Sequence, residues 1–264
     1  VTVKVLPKPV PKGVTVLNGT ANEKLIDAIR ENVNKAISGL TNVPEGVTPF
    51  ITDDAIATPK TDKKGQQTPV TVTVKYRDQA TGQIIDDISV NVEVPVNVVG
   101  STPTSKVVFE GDELTANDIT DAVTPGENGT KGEPKDLAKD ITAKPGVKEV
   151  TVPVTYTNQN GETLTEPVKV KVTVLPKPTP KGIIVAKDSD KEKAKEKALA
   201  KAKEAIADGT FKGKLPENVT NVSIDENVDN PDLSDDTDVN VTVKYIVDGE
   251  EKTTVIKVPV TVVE

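Results

Sequence analysis

The chain has 264 residues, a formal net charge of −8 and no histidine, cysteine, methionine or tryptophan. Without histidine or cysteine it cannot build a Ser-His-Asp or Cys-His catalytic arrangement, so no enzyme activity is expected. Aromatic residues make up only 2% of the chain and do not alternate with Lys or Arg, which argues against nucleic-acid binding. No apolar run approaches the length of a membrane span, so no membrane insertion is expected.

The first 13 residues combine an alternating run, Val1–Leu6, with a proline-rich segment, Pro7–Gly13. Residues 172–182 nearly repeat this passage, so residues 1–13 are predicted to be the last strand of a preceding repeat plus a proline-rich linker. Alternating prolines favour an extended polyproline conformation that spaces domains semi-rigidly, and residues 176–182 are predicted to form a second such linker. The chain is therefore expected to be a piece of a longer protein.

Residues 14–99 are predicted to form a long repeat that opens with a helix. Thr20 and Glu23 have the spacing of a capping box, and Gly39 is placed to end the helix. Between them, an apolar stripe recurs with helical period at Leu25, Ile26, Ile29, Val33, Ala36 and Ile37. This stripe predicts a helix that packs against the sheet of its own repeat.

Residues 100–175 are predicted to form a shorter repeat without a long helix. Short helical patterns occur only at residues 116–123 and 134–141. The joint with the first repeat, Gly100–Pro103, is short and contains a single proline. It is therefore predicted to be either a tighter or a more flexible junction than the proline-rich linkers.

Residues 183–264 repeat the plan of the first long repeat. Ser189 and Glu192 are spaced to cap a helix, and Gly209 is placed to end it. The apolar face of this helix consists of Ala198, Leu199, Ala202, Ala205 and Ile206. A face made mostly of alanine is too weak for membrane insertion, so the helix is predicted to pack on its own sheet rather than on a membrane or a partner.

Each repeat contains an alternating run that ends at a tyrosine and is followed by a turn and a second apolar run. The runs and their turns are Val70–Tyr76 with Thr81-Gly82, Val150–Tyr156 with Asn160-Gly161, and Val239–Tyr245 with Asp248-Gly249. Alternation with a period of two predicts half-buried strands, and the glycine-containing turns predict hairpins. The tyrosines lie 80 and 89 residues apart (156 − 76 and 245 − 156), which indicates three repeats rather than the two domains suggested by length.

The C-terminal half of each repeat resembles a known family, the Rib/alpha-like tandem repeat of Gram-positive bacterial surface proteins, including a longer variant with a helix. The matching phrases in the third repeat are Leu215–Thr220, Asn230–Ser234, Val239–Glu251 and Val258–Val262. Lys144–Tyr156 is similar to the same pattern, although the family's Tyr-Pro-Asp-Gly turn is Tyr245-Ile-Val-Asp-Gly249 here. The resemblance implies immunoglobulin-like or related β-sandwich repeats, mainly β with added helices, in an elongated array. It brings no catalytic residues.

The densest acidic tract of the chain lies between Asp225 and Asp238. Its candidate calcium ligands are Asp225, Asp229, Asp232, Asp235 and Asp236. Calcium prefers several such oxygens, but the spacing fits no EF-hand loop, and Pro231 and Leu233 interrupt it. A solvated acidic loop without a cofactor is therefore the default prediction, and a calcium site is the alternative.

Three other features invite a chemical interpretation. The adjacent acids Asp53-Asp54 and Asp86-Asp87 are predicted to be solvated loop residues rather than catalytic pairs, because no perturbing partner is evident. A Lys–Asn or Lys–Asp isopeptide crosslink is left open, and intact mass would reveal it because each bond removes about 17–18 Da. Each tyrosine is predicted to cover the end of a sandwich, since so few aromatics cannot form a stacking surface for carbohydrate.

Together these features predict a mechanical and spatial function: stalk or spacer repeats of a bacterial cell-surface adhesin, projecting an adhesive head from the cell wall. The chain is expected to be extracellular, monomeric and anchored through a region outside this sequence. Its expected partners are neighbouring repeats of the same chain, while other domains bind a host surface protein. The alternative is a repeat that itself binds a host protein or self-associates through loops or a strand edge. Only such a binder would lose activity with one particular repeat.

Overall fold

The computed structural model of the protein describes residues 5–57 and 61–264. Strands account for 42% of the chain and helices for 17%. The predicted fold class is confirmed in its secondary structure, because the chain is mainly β, with several sheets and added helices. Val1–Lys4, most of the strand predicted to end a preceding repeat, lie outside the described residues.

The helices and strands follow the order of the predicted repeats. In residues 14–99 they are β1 Val14–Leu17, α1 Asn22–Ser38, β2 Val47–Ile56, β3 Gly65–Gln66, β4 Val70–Asp78, β5 Ile84–Val94 and β6 Val96–Val99. In residues 100–175 they are β7 Thr102–Pro103, β8 Lys106–Phe109, α2 Ala116–Asp121, β9 Val123–Thr124, β10 Thr130–Lys131, β11 Gly146–Thr157 and β12 Thr163–Leu175. In residues 183–264 they are β13 Ile183–Ala186, α3 Lys191–Ala207, α4 Gly209–Lys212, β14 Val219–Ile224, β15 Thr237–Val247 and β16 Glu250–Val263.

The predicted hairpins are confirmed. Strand β4 pairs antiparallel with β5, β15 pairs antiparallel with β16, and β11 neighbours β12 in its sheet. Val247 pairs with Glu250, so the third turn has two residues, and Asp248 and Gly249 take the positive φ values of 50° and 86° that such a turn requires. In the two longer turns the positive φ is taken by Gly82 and Gly161.

In each long repeat the first strand pairs in parallel with the end of the last strand. Strand β1 pairs with β6, and β13 with the end of β16. In the shorter repeat the second strand, β8, pairs in the same way with the end of β12. In the third repeat this register runs from Ile183 opposite Val260 to Ala186 opposite Val263. The chain therefore enters and leaves each long repeat through neighbouring strands that point in the same direction.

The two long repeats arrange their other strands differently. The third repeat has one four-stranded sheet in the order β13-β16-β15-β14. The first repeat has two three-stranded sheets, β1-β6-β3 and β2-β4-β5, with Pro95 between β5 and β6. The shorter repeat contributes a sheet in the order β10-β11-β12-β8 and the strand pair β7-β9.

The chain divides into two compact units. Unit 1 comprises Val1–Thr102, Val123–Glu133 and Val152–Val168, and unit 2 comprises Pro103–Ala122, Pro134–Thr151 and Lys169–Glu264. The shorter repeat thus contributes segments to both units. The division of the chain into three repeats, with boundaries at 14–99, 100–175 and 183–264, remains a prediction from the sequence.

Helix α1 lies in unit 1 and packs against β1, β2 and β5. Leu25, Ile29 and Val33 of the predicted stripe are buried, and Gly39 ends the helix as predicted. The predicted capping box is wrong. Ala21 occupies the N-cap position without a side-chain hydrogen bond, because the Thr20 hydroxyl instead donates to the carbonyl of Leu17 at 2.6 Å in the turn after β1.

Helix α3 lies in unit 2 and buries a face of alanines, Ala194, Ala198 and Ala202. The helix begins and ends at other residues than the predicted caps, Ser189 and Gly209. The N-cap is Asp190 rather than Ser189, because the Asp190 carboxylate accepts the backbone N–H groups of Glu192 and Lys193. The helix stops at Ala207, and Gly209 begins α4 instead of ending α3.

Only one of the two helical patterns in the shorter repeat forms a helix. Helix α2 is confirmed, and a reciprocal capping box between Thr115 and Asp118 begins it. The pattern at 134–141 does not form a helix, which contradicts the prediction. Lys135 bridges to Thr151 as an isolated β-bridge, and Asp136 takes a φ of 65°, which a right-handed helix cannot accommodate.

Candidate functional site at the repeat joints

The three tyrosines lie on the inward faces of β4, β11 and β15 and are almost completely buried. Their position follows from the alternating pattern, because every second residue of each strand faces the core. The prediction that they are structural residues at the hairpins fits this position. Their hydroxyl groups, however, reach residues that the sequence pattern did not indicate.

Tyr76 and Tyr245 anchor the segments that precede their repeats. The hydroxyl of Tyr76 donates to the carbonyl of Pro7 at 2.9 Å, and that of Tyr245 donates to the carbonyl of Pro176 at 2.7 Å. Each bond spans 69 residues of sequence. Burial raises the pKa of both phenols above the usual range, so both remain protonated donors at neutral pH.

In unit 2, the segment Pro176–Gly182 is packed on its surroundings rather than exposed as a free linker. Pro176 and Pro178 are buried. The ammonium of Lys177 lies 2.7 Å from Asp112 Oδ1 and 5.7 Å from the centre of the Phe109 ring, and it lowers the Asp112 pKa. The Phe109 ring in turn packs edge-on against Tyr245 at 5.5 Å. Pro176 and Lys177, the first two residues after β12, are therefore held by Tyr245 and Asp112.

A second set of contacts in unit 2 ties the end of β12 to the turn between β15 and β16. Lys171 pairs with Asp248 at 2.6 Å, and this ion pair lowers the Asp248 pKa. The Asn218 amide donates to Thr173 Oγ1 and to Asp248 Oδ2, both at 2.9 Å. Thr173 is fully buried. The only sequence signal for this joint is that Asn218 lies within the phrase Pro216–Thr220.

In unit 1, the segment Pro7–Gly13 is held by a residue on α1. Asn32 Oδ1 accepts the N–H of Gly13 at 3.1 Å, and Asn32 Nδ2 donates to the Gly13 carbonyl at 2.6 Å. Gly13 has a φ of 101°, and a Cβ there would lie 2.9 Å from the carbonyl of Pro95. Asn32 was missed by the sequence reasoning. Its signal was a polar residue beside Val33 in the apolar stripe.

At the joint Gly100–Pro103, the residues that belong to unit 1 form a network of hydrogen bonds. The N–H and hydroxyl of Ser101 both donate to Glu166 Oε2, at 2.8 and 2.7 Å. The same hydroxyl lies 2.9 Å from the Tyr156 hydroxyl. Lys64 donates to the Ser101 carbonyl at 2.8 Å and to Thr102 Oγ1 at 3.0 Å. Ser101 is buried, so this junction is fixed by a polar network instead of by prolines.

Most candidate carboxylates of the acidic tract accept a backbone N–H group or pair with a lysine. Asp225 accepts the N–H of Asn227 and pairs with Lys244 at 3.0 Å, and these contacts lower its pKa. Asp232 accepts the N–H of Ser234, Asp235 that of Asp236, and Asp236 that of Val262, while Asp229 is exposed. Among the described residues no three acidic side chains form a cluster that could hold a metal ion. The calcium alternative remains a prediction.

The two adjacent acidic pairs do not lie in loops, which corrects the prediction. Asp53-Asp54 fall within β2, and Asp86-Asp87 fall within β5.

No protein-family model and no curated protein sequence matches the chain. Among solved structures, the chain is similar to human mucin-like protocadherin EC1-2, with 14% identity, a TM-score of 0.16 and coverage of 51% of this chain and 87% of that one. It is also similar to Drosophila N-cadherin EC1-3, with 12% identity, a TM-score of 0.18 and coverage of 85% and 91%. An endo-fucoidan hydrolase, MfFcnA4 of glycoside hydrolase family 107, has 13% identity and a TM-score of 0.16, with coverage of 85% and 38%. TM-scores this low support no inference about the chain.

In residues 5–57 and 61–264, no helix is both long enough and apolar enough to span a bilayer.

Proposed function

We propose that the chain forms stalk or spacer repeats of an extracellular bacterial adhesin and holds an adhesive head away from the cell wall. The observation that carries this proposal is the ordered joint in unit 2, where Tyr245, Phe109 and Asp112 hold the segment Pro176–Gly182. A spacer keeps its geometry only if the segments between its repeats are fixed. A proline-rich segment packed against side chains lacks the freedom of a Gly/Ser linker.

The surface charge supports the same role. The net charge of −8 and the isoelectric point near 4.9 disfavour self-association and non-specific binding to other anionic surfaces. In this proposal the chain is monomeric, needs no cofactor and catalyses no reaction. Its partners are neighbouring repeats, and a host surface protein is bound by other domains.

The finer assignment belongs to the proposal as well. The strand-and-turn phrases such as Val239–Glu251 resemble the Rib/alpha-like repeat, which supports placement on a Gram-positive cell wall. Anchoring through a region outside this chain follows from that placement. The surface location and the family are therefore proposed together, because the same sequence phrases support both.

Spin-label distances across the joint in unit 2 test the proposal. The chain has no cysteine, so Lys139→Cys and Lys197→Cys, both exposed, give two unique labels on either side of Pro176–Gly182. We expect a narrow distance distribution in the otherwise unchanged protein. Replacing Pro176, Pro178 and Pro180 with Gly or Ser is expected to broaden it, because both the polyproline restriction and its packing are lost.

A label pair inside the third repeat, at Lys197→Cys and Glu251→Cys, serves as the control and should keep its distribution in the proline variant. A broad distribution across the joint in the unchanged protein would sink the stalk proposal. The same conclusion would follow if the proline substitutions left the distribution unaltered, since the joint would then not set the geometry.

A further inference from the structure

The path of tension through the third repeat is set by its first and last strands. The chain enters at the start of β13 and leaves at the end of β16. These strands are neighbours and run parallel, with Ile183 opposite Val260 and Ala186 opposite Val263. The entry point and the exit point therefore lie at opposite ends of one short strand pair, about 10 Å apart along the strands, because three steps of about 3.3 Å separate them.

Tension applied through the chain pulls these two strands in opposite directions along their common axis. All hydrogen bonds of the pair then carry load at the same time, because none can open before the strands slide past each other. In an antiparallel hairpin pulled at its open end, the bonds break one after another, and each carries the whole load in turn. The direction of the strands and the points at which they are pulled decide between these two cases.

We propose that this parallel strand pair is a mechanical clamp, and that each long repeat bears tension through the clamp between its first and last strands. The inference deepens the proposed function and rests on it, because a stalk under pull is the setting in which the clamp would serve. The clamp itself is a property of the strand arrangement. It can be measured on the isolated protein without reference to any surface.

Hydrogen bonds beyond the paired residues close the clamp at both ends in the first repeat and at the exit end in the third. In the third repeat, the N–H of Lys187 donates to the Val263 carbonyl at 2.9 Å, just beyond the last pair of residues. In the first repeat, the N–H of Val14 donates to the Pro95 carbonyl at 2.9 Å, and that of Asn18 donates to the Val99 carbonyl at 2.7 Å. In the first repeat the strand pair is thus bonded from the point of entry to the point of exit.

Burial protects one side of the clamp from water. Ile183 and Val185 on β13, and Val258 and Val260 on β16, belong to the core of unit 2. Sliding the strands by one residue would move this apolar set out of the core, since the side-chain period is two. The hydrogen bonds and the buried side chains therefore resist the same motion.

Single-molecule force spectroscopy on the full chain tests the clamp by changing only the direction of pull. Handles on Lys181→Cys and Glu264→Cys load the pair in shear, from its two opposite ends. Handles on Lys187→Cys and Glu264→Cys pull apart two residues at the same end, where Lys187 Nζ and Glu264 Oε1 lie 3.8 Å apart. To match the two proteins, each carries Ser at whichever of positions 181 and 187 bears no handle.

We expect the unfolding force to be at least about twofold higher in the shear geometry, because roughly two or three ladder bonds share the load instead of one. Both geometries should release about 80 residues, or roughly 280 Å of chain at about 3.5 Å per residue, which identifies the event as unfolding of this repeat. Equal forces, or a higher force when the strands are peeled apart, would overturn the clamp.

The outcomes separate the clamp from the stalk. A narrow spin-label distribution with equal forces would refute the clamp and leave the fixed joint standing. A broad distribution with a strongly direction-dependent force would refute the stalk and leave a mechanically resistant domain.

Discussion

The first and third repeats share one contact plan but fill their cores with different side chains. Both have a 17-residue helix, α1 and α3, and both anchor the preceding segment by a tyrosine 69 residues away. The buried helix face is Leu25, Ile29 and Val33 in the first repeat, and Ala194, Ala198 and Ala202 in the third. The plan of connections is therefore less tolerant of change than the volume of the side chains that fill it.

The third repeat supplies bulk from outside its helix. Phe211 and Leu233, from segments after α3, are buried in the core of unit 2 with the alanine face. Interiors are close-packed, so a helix with a small apolar face must be met by larger neighbours or lie closer to the sheet. In the first repeat the helix itself brings the large side chains, which makes its stability depend more on single helix residues.

The largest expected difference between the two repeats is the change in unfolding free energy when a buried residue of the helix face is substituted. Ile29→Ala should cost about 2–5 kcal/mol in unit 1, because it removes a fully buried side chain from a packed core. The opposite change in the third repeat, Ala198→Ile, should cost about 1–3 kcal/mol by overpacking. Hydrogen exchange measured by mass spectrometry reports both changes. The amides of β4–β5 should exchange faster in the Ile29 variant and those of β15–β16 in the Ala198 variant, and the other strand pair is the control in each case. Unchanged exchange of β4–β5 in the Ile29 variant would show that α1 contributes little to that core.

A smaller difference in unfolding free energy is expected from Asn32, the residue of α1 that holds the segment Pro7–Gly13. Asn32 exchanges two hydrogen bonds with Gly13, whereas the residue at the equivalent helix position, Lys201, pairs with Glu204 at 2.7 Å on the surface. Asn32→Ala should cost about 1–3 kcal/mol, because a buried N–H and carbonyl lose their partners. Lys201→Ala should stay within about 0.5 kcal/mol. Urea unfolding of the two variants checks this contrast, and equal shifts of the midpoint would contradict it.

The smallest difference concerns the tyrosine anchors and appears at high pH. Burial raises the pKa of Tyr76 and, more strongly, that of Tyr245, relative to about 10 for an unfolded phenol. The unfolded chain therefore loses these protons first. The stability that each neutral phenol contributes is complete below about pH 10 and is lost as the pH rises through the folded pKa.

Absorbance titration measures this directly. A variant with Tyr76→Phe and Tyr156→Phe retains only Tyr245, and one with Tyr156→Phe and Tyr245→Phe retains only Tyr76. We expect both to ionise above the range of a free phenol, with Tyr245 last. Ionisation of Tyr245 near pH 10 while circular dichroism still shows the folded sheet would contradict the buried anchor.

Local patterns in the sequence were sufficient for several elements. The alternation of Val with polar residues located β4, β11 and β15, and the Asp-Gly pair fixed a two-residue turn at Asp248-Gly249. The helical stripes located α1 and α3. These signals are local because periodicity and positive φ are properties of neighbouring residues. Helix ends were predicted less well, since several polar residues competed for each cap, and at α3 Asp190 rather than Ser189 provided it.

The joints could be predicted only in outline. The prolines marked where the segments lie, but Asn32 with Gly13, and Ser101 with Glu166, pair residues 19 and 65 positions apart. The sequence around an Asn in an apolar stripe, or around a Ser before Thr-Pro, does not indicate which distant residue it will bond to. Such pairs form only after the sheets have brought distant segments together.

The sequence by itself determined the hairpin strands, their turns and the two long helices of this protein, and the place of each tyrosine along the strands. Tertiary structure alone decided that the first strand of each long repeat lies parallel to the last, and that two tyrosine hydroxyls reach the proline carbonyls that precede their repeats. The physical reason is distance along the chain. Hydrophobic period and turn chemistry act over a few residues, whereas strand order and buried hydrogen bonds are selected by packing the whole core at once.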